Sequence, residues 1–455
     1  MRKESSIEFG KAASLRPRSL VASYPKIGSR RRLPRTPAVT APVNPGQPSS
    51  TPKKSSFMPP NLAAARDIIA RRIAPLPAVS VPLAASLGRV LRQEARAAED
   101  LPAFDRSAMD GYAVIADDPA HEFRIVAEIQ PGAPSKRKIQ PGECARIFTG
   151  APIPPGASQV IMQENVRVAG NSIIPQTRTG PAHIRHRGED AHRGDLLLQS
   201  GTRLGPGELA LLASLGVARP RVSRPPRVAH FVTGNELVAP GRKLRPGQIR
   251  DSNSFLVAGF LQRFGGELVH QERVPDDFKI LLAKTRAVRK SCDLLLLSGG
   301  ASMGEHDFGQ RLLAALGFQL HFTGVNLRPG KPLVFATRGR QAAFVLPGNP
   351  VSHLVTLHLE VRLALDQFAG APLSWPMLRV PLVGDLDLAP SPRESFLPAH
   401  LENSPGAGLV VRARRWQSSG DVTGLAGVNA LLHWEAGAAA PRAGDLVSVL
   451  MLEVP

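Results

Sequence analysis

The 455-residue chain has little with which to hold itself together covalently. Two cysteines, Cys144 and Cys292, are too few for a disulfide framework or a cysteine-built metal site. A reducing compartment is the default expectation, and a cytoplasmic protein the working reading. No apolar run approaches the roughly 18 residues that a membrane helix needs, and no signal-peptide core follows the basic N-terminus. Acidic residues are scarce at one end. Residues 1–57 contain twelve basic side chains against Glu4 and Glu8, which is half of the formal +20 net charge of the whole chain. That segment is rich in Pro, Ser and Arg and shows no apolar periodicity, so it reads as a disordered basic tail. An organelle transit peptide has a similar composition, and a working start at Met58 is a third reading. Its aromatics are only Phe9, Tyr24 and Phe57. Stacking on nucleic acid is therefore poorly supported, and nonspecific, salt-sensitive binding is the most the charge implies.

What is present begins at Asn61. Leu62, Ala65, Ile68, Ile69, Arg72 and Ile73 fall on one helical face, and Pro75 and Pro77 stop the helix. A second short helix is expected through "SLGRVLRQEARAA". Residues 104–200 change to short β-like stretches separated by Pro-Gly turns, followed by a helix from Pro206 to Gly216. From about Arg227, strands and amphipathic helices alternate, and the helix in "SNSFLVAGFLQRFGG" is expected to be capped by Ser252 or Asn253. Continuous apolar strands such as "DLLLLS" argue for a mainly parallel sheet covered on both faces. After Ser374-Trp375-Pro376 the pattern returns to short strands. The expected organisation is a tail (1–57), an N-terminal region with a β-rich stretch (58–224, stretch about 104–190), an α/β domain (225–374) and a C-terminal β domain (375–455).

Ligands of such sheets bind beyond the carboxyl ends of the strands. Three strand ends carry glycine loops: Thr233-Gly234-Asn235-Glu236, Ser298-Gly299-Gly300-Ala301-Ser302-Met303-Gly304, and Pro347-Gly348-Asn349-Pro350. Glycine lets backbone approach a ligand closely and present N–H groups to an anion. "NLRPGKP" adds Arg328 and Lys331 as fixed cations. Carboxylates sit beside these loops: Glu236, Glu305, Asp307, Asp276 and Asp277, the last three also being natural helix-opening residues. A carboxylate cannot hold phosphate directly, whereas Mg²⁺ takes one or two carboxylates together with phosphate oxygens, which reconciles the two. Upstream, "LPAFDRSAMDGYAV" offers Asp105 and Asp110, and "HIRHRGEDAHRGD" offers His183, His186, His192, Glu189 and Asp190. The histidine spacing matches no standard metal site, and an exposed basic loop is the simpler reading.

Eight stretches in order, "FDRSAMDGYAV", "RIFTGAPIPPGA", "RHRGED", "TGNELV", "GQIRDSN", "LLLLSGGASMGEHDF", "RPGKPL" and "LPGNPVS", resemble molybdopterin molybdenumtransferases of the MoeA type and the related C-terminal domain of gephyrin. The resemblance runs from about residue 60 to the end. It implies an α/β multidomain subunit with a three-layer molybdopterin-binding domain, an elongated N-terminal half carrying the inserted lobe, and a small C-terminal β domain. It implies a homodimer with the active site between the α/β domain of one subunit and the lobe of the other. The activity implied is insertion of molybdenum from molybdate into adenylylated molybdopterin, with Mg²⁺-dependent release of AMP. Contact with the molybdopterin adenylyltransferase and with recipient molybdoenzymes would follow. Carried over by position, Asp105, Thr149, Asp190, Glu236, Asp277 and Asp307 match the polar residues around the family's active site, with Glu236 and Asp307 as metal ligands. Thr233, Gly234, Ser298, Gly299, Gly300, Ser302, Gly304, Arg328, Lys331, Pro347, Gly348, Asn349, Pro350 and Ser352 would line the cofactor pocket. Arg106, Asn235, Arg250 and Arg328 depart from common family residues, and the first three shift the site toward anions. The competing reading is a carrier or scaffold that binds molybdopterin without completing insertion.

Overall fold

The computed structural model describes residues 59–177, 180–299, 306–372, 375–386, 388–415 and 417–452, the side chains of 306 and 307 excepted. The basic tail therefore lies outside the described residues. Helix α1 (Leu62–Arg72) starts where expected, with the Asn61 side chain accepting the Ala64 N–H at 2.9 Å. Its buried face, Leu62, Ala65 and Ile69, packs into the core of the α/β domain, not of the N-terminal region. The second expected helix does not form. Val90 and Leu91 are fully buried, and their backbones are taken by long-range partners: the Leu91 N–H donates to Thr202 O at 2.8 Å and the Ser223 N–H to Val90 O at 2.8 Å. Strand-like pairing overrides the local helical preference of "VLRQEARAA". Further on, the helix Pro206–Ser214 follows the sequence reading, and the Glu208 carboxylate accepts the Gly205 N–H at 2.8 Å.

The inserted lobe is a six-stranded sheet running from Gly111–Val114 to Ser172–Pro175. The α/β domain follows as β1 (Arg227–Thr233), α2 (Asn253–Phe264), β2 (Glu267–Val274), α3 (Phe278–Arg289), β3 (Leu294–Ser298), α4 (His306–Ala315), β4 (Gln319–Thr323), β5 (Val334–Arg338), β6 (Gln341–Leu346) and α5 (Pro350–Thr356). The last continues through a π turn at Leu357–Val361 into Arg362–Ala369. Sheet order is β2-β1-β3-β6-β5-β4, with β2, β1, β3 and β6 parallel, β5 antiparallel to β6, and β4 antiparallel to β5. The antiparallel edge was not evident from periodicity.

Alternation along β3 shows why its leucine run is uninterrupted. Leu294 and Leu296 join α1, α2 and α5 on one face, while Leu295 and Leu297 join α3 and α4 on the other. A strand covered on both faces has no polar side to display, and a three-layer arrangement results. The C-terminal sheet is built on Glu394–Ser404, Ala430–Trp434, Leu446–Met451 and Met377–Pro381. It borrows Leu327–Arg328 as a parallel edge, so the position of Arg328 is set by the C-terminal domain. Among the described residues, no helix is long and apolar enough to cross a membrane.

Candidate active site

A cleft of about 980 Å³ opens beyond the carboxyl ends of β1, β3 and β6. The glycine loops form its floor: Thr233, Gly234 and Gly299, then Pro347, Gly348, Asn349, Pro350 and Ser352. Two positions show why glycine is required. Gly234 has φ +155, and a Cβ there would lie 2.7 Å from Glu236 Oε1; Gly299 has φ +96, and its Cβ would lie 2.3 Å from the Thr233 carbonyl. The backbones at Thr233 and Gly299 therefore lie in close contact. Arg328 and Lys331 line the same cleft.

The carboxylates divide. Glu236 lines the cleft, and its side chain forms no hydrogen bond or ion pair among the described residues. Asp276 also lines it, where the family resemblance points to Asp277; the Asp276 carboxylate accepts the Asn235 N–H at 3.1 Å, and its own N–H donates to Asn235 Oδ1 at 3.2 Å. Asp277 instead caps α3, accepting the Ile280 N–H at 3.0 Å, and is absent from the lining. Ser252 stands at the N-cap of α2 as expected but makes no side-chain cap bond; the Asp251 carboxylate accepts the Ser254 N–H and hydroxyl there at 3.0 and 2.6 Å. Gly300, Ser302 and Gly304 lie outside the described residues, as does the side chain of Asp307.

Ser298 corrects another expectation. It is fully buried and faces His230 and His353, and it does not line the cleft. Being the last residue of β3, its side chain follows the strand's alternation into the core.

Several lining residues were missed. Arg393, Gln417, Ser418, Ser419 and Gly420 come from the C-terminal domain. The Asn349 amide donates to Ser419 Oγ at 2.8 Å and the Val351 N–H to Ser419 O at 3.0 Å, which fastens that segment over the third loop. Arg393 donates to Leu327 O at 3.2 Å and so joins Arg328 and Lys331 as a third cation. No local signal marked these positions. Arg250 lines the cleft as well, so the cationic departure noted in the sequence faces the ligand space.

Asp105, Thr149 and Asp190 sit in the N-terminal lobe and line no part of this cleft. The Asp105 carboxylate accepts the Arg187 N–H at 2.8 Å, with His186 Nδ1 at 3.4 Å from its other oxygen. The Thr149 N–H and hydroxyl both donate to Asp110 Oδ1, at 2.7 and 2.8 Å, and these bonds hold the Asp110 carboxyl below its usual range. Asp190 pairs with Arg185. The segments carrying Asp105 and Thr149 adjoin through Ser107 N–H to Ala151 O at 2.9 Å and Gly150 N–H to Ser107 O at 2.8 Å. Beside them Phe104 and Met109 are 47% and 36% exposed, an apolar rim around a polar cluster.

The donor set tests a metal. Among the described residues no group of three His, Cys, Asp or Glu side chains could hold an ion by itself. The hard oxygens of Glu236 and Asp276, in the same cleft as the glycine loops, are donors of the kind that suit an ion such as Mg²⁺ completed by ligand oxygens and water.

Comparison with known proteins agrees with this architecture. Residues 61–216 match the MoeA N-terminal region (domain I and II), 229–367 a probable molybdopterin binding domain, and 385–452 the MoeA C-terminal region (domain IV). A molybdopterin molybdenumtransferase from Nostoc sp. is 35% identical over 386 residues, spanning 82% of this chain and 88% of the relative. One from Bacillus subtilis is 33% identical over 393 residues, spanning 82% and 89%. The crystal structure of the molybdopterin biosynthesis moeA protein from Pyrococcus horikoshii OT3 superposes with a TM-score of 0.75 at 28% identity, over 87% of this chain and 100% of that one. With all three regions matched in order along one chain, the chain belongs to the MoeA family of molybdopterin molybdenumtransferases.

Proposed function

We propose that this cleft binds adenylylated molybdopterin and molybdate, and that molybdenum is inserted into the pterin dithiolene as the phosphoanhydride is cleaved and AMP leaves. The observation that carries the reading is the meeting in one cleft of three glycine loops, the cations Arg328, Lys331 and Arg393, and the carboxylates Glu236 and Asp276. Cations and backbone N–H groups would hold the oxyanions of phosphate and molybdate. Glu236, with Asp307, would hold Mg²⁺, which neutralises phosphoanhydride charge when bound. The chain's own contribution is to bind, orient and desolvate; dithiolene chemistry belongs to the pterin. In a homodimer, the lobe cluster of Asp105 and Thr149, with its apolar rim, would close the partner's cleft. A cytoplasmic setting and hand-over from an adenylyltransferase to recipient molybdoenzymes belong to the same reading.

A carrier that binds without turnover is the second reading. It draws on Asn235, which offers an amide where a carboxylate would add metal affinity. The test follows AMP release from adenylylated molybdopterin with the full chain, Mg²⁺ and molybdate, in parallel with Glu236→Ala and Asp307→Ala. The transferase reading expects AMP only when metal and molybdate are both present, and slow release from both variants. Tight binding of the nucleotide without AMP would establish the carrier instead.

A further inference from the structure

Beneath the cleft floor lies a chain of buried polar side chains that the reaction scheme does not use. His230 on β1, Ser298 at the end of β3 and His353 on α5 are all fully buried. Gln271 Nε2 lies 3.0 Å from His230 Nδ1 and 2.9 Å from Ser254 O. His230 Nε2 lies 2.6 Å from Ser298 Oγ, which is 3.5 Å from His353 Nε2; His353 Nδ1 is 2.9 Å from Pro347 O.

The two carbonyls fix the direction of every bond in this chain. Ser254 O can only accept, so the Gln271 amide nitrogen must face it, and that same NH₂ donates to His230 Nδ1. His230 then carries its proton on Nε2 and donates to Ser298 Oγ. Pro347 O can likewise only accept, so His353 is protonated on Nδ1 and leaves Nε2 to receive the Ser298 hydroxyl proton. Gln271, His230, Ser298 and His353 thus donate in one direction, ending on a carbonyl of the third cleft loop. Burial lowers the His230 pKa to about 3 and that of His353 to about 4, so both rings stay neutral and keep opposite tautomers.

That last bond has a consequence at the surface. The Pro347–Gly348 peptide is trans, so its carbonyl and the Gly348 N–H point in opposite directions. A carbonyl drawn inward to His353 turns the Gly348 N–H outward, toward the cleft that Gly348 lines. The next carbonyl, Gly348 O, is anchored by the Asn253 amide at 2.7 Å, and neither Gly348 nor Asn349 gives its N–H to a backbone acceptor among the described residues. Successive free N–H groups form an anion-binding concavity. We infer that His353 is a positioning residue for this reaction: through the buried relay from Gln271, His230 and Ser298, it aims the Gly348 N–H at an oxyanion of the substrate. The inference rests on the anion-binding reading of the cleft and adds to it the device that orients one donor.

The test uses pyrophosphate as the probe, titrated calorimetrically into the full chain in Mg²⁺-containing buffer. His353→Leu removes the donor to Pro347 O, and His353→Asn restores one, its Nδ2 standing where the ring Nδ1 stood. Losing one donor to a charged acceptor weakens binding about tenfold. The Leu variant should show that loss, and the Asn variant should recover most of it. A Leu variant that binds like wild type overturns the role of His353 and leaves the anion site standing. Wild-type protein that binds no pyrophosphate overturns the anion site and this inference with it. Should the Leu variant not fold, imidazole ¹⁵N spectra of the wild type decide, assigned by subtraction with His353→Asn. The inference expects His353 as the Nδ1–H tautomer and His230 as the Nε2–H tautomer; an Nε2–H proton on His353 refutes it.

Discussion

Glu360→Gln should stabilise the protein increasingly as pH rises. Glu360 lies in the π turn of the long helix, fully buried, and neither carboxylate oxygen has a hydrogen-bond partner. Burial pushes its carboxyl well above the usual range, with Glu394 adding to that shift and Arg66 opposing it. The Arg66 guanidinium is committed elsewhere, lying 3.6 Å from the centroid of the Trp375 ring and donating to Leu359 O. A carboxyl whose folded pKa is raised holds a proton that the unfolded chain gives up. Its contribution is intact below the unfolded value and is lost as pH rises, at about 1.4 kcal/mol per pH unit until the folded value is reached. Gln keeps the shape and cannot ionise, so it removes this slope. Three buried histidines work in the opposite direction. Burial depresses His230 to about 3, His353 to about 4 and His358 to about 3, so their contribution is present above about 6.5 and falls away toward acid. Together they cost roughly 4 kcal/mol per unit below that point. The difference between Glu360→Gln and wild type, measured as the urea midpoint by tryptophan fluorescence from pH 5 to 9, isolates the carboxyl. It should widen steadily toward alkaline pH, while both proteins share the acid decline. Parallel profiles above pH 6.5 would show that Glu360 is ionised in the native state and refute the reasoning.

Other perturbations probe the cleft and its supports. Arg393→Ala and Lys331→Ala should each weaken pyrophosphate binding about tenfold, the loss expected for one charge-assisted contact; an unaffected Arg393→Ala would remove the C-terminal domain from the site. Gly299→Ala places a Cβ 2.3 Å from the Thr233 carbonyl at φ +96, and should lower the melting temperature and abolish AMP release together. Asp366 is buried and accepts from Arg203 at 2.8 Å and Arg362 at 3.0 Å. Asp366→Asn should cost about 3 kcal/mol, measured by denaturant unfolding, because it leaves two guanidinium groups without their counter-charge.

Much of this protein could be read without coordinates. The helix after Asn61 was legible because its apolar spacing and cap are local properties. The leucines of β3 were legible as a strand buried on both faces, and the glycine loops as places where the backbone must approach something closely. Those features depend on periodicity and on conformational permissiveness, which each short stretch carries within itself. Other features depended on partners distant in the chain. Val90 and Leu91 became extended because strands more than a hundred residues away took their backbone groups, and Ser298 turned from apparent ligand contact to core hydroxyl because two histidines meet it there. Asp276 replaced Asp277 at the cleft because helix capping consumed the second carboxylate, and Arg393 and Ser419 arrived from another domain. Local sequence states which groups can bend, alternate or carry charge. Only long-range packing, by satisfying some of those groups and exposing the rest, settles which of them remain free to meet a ligand.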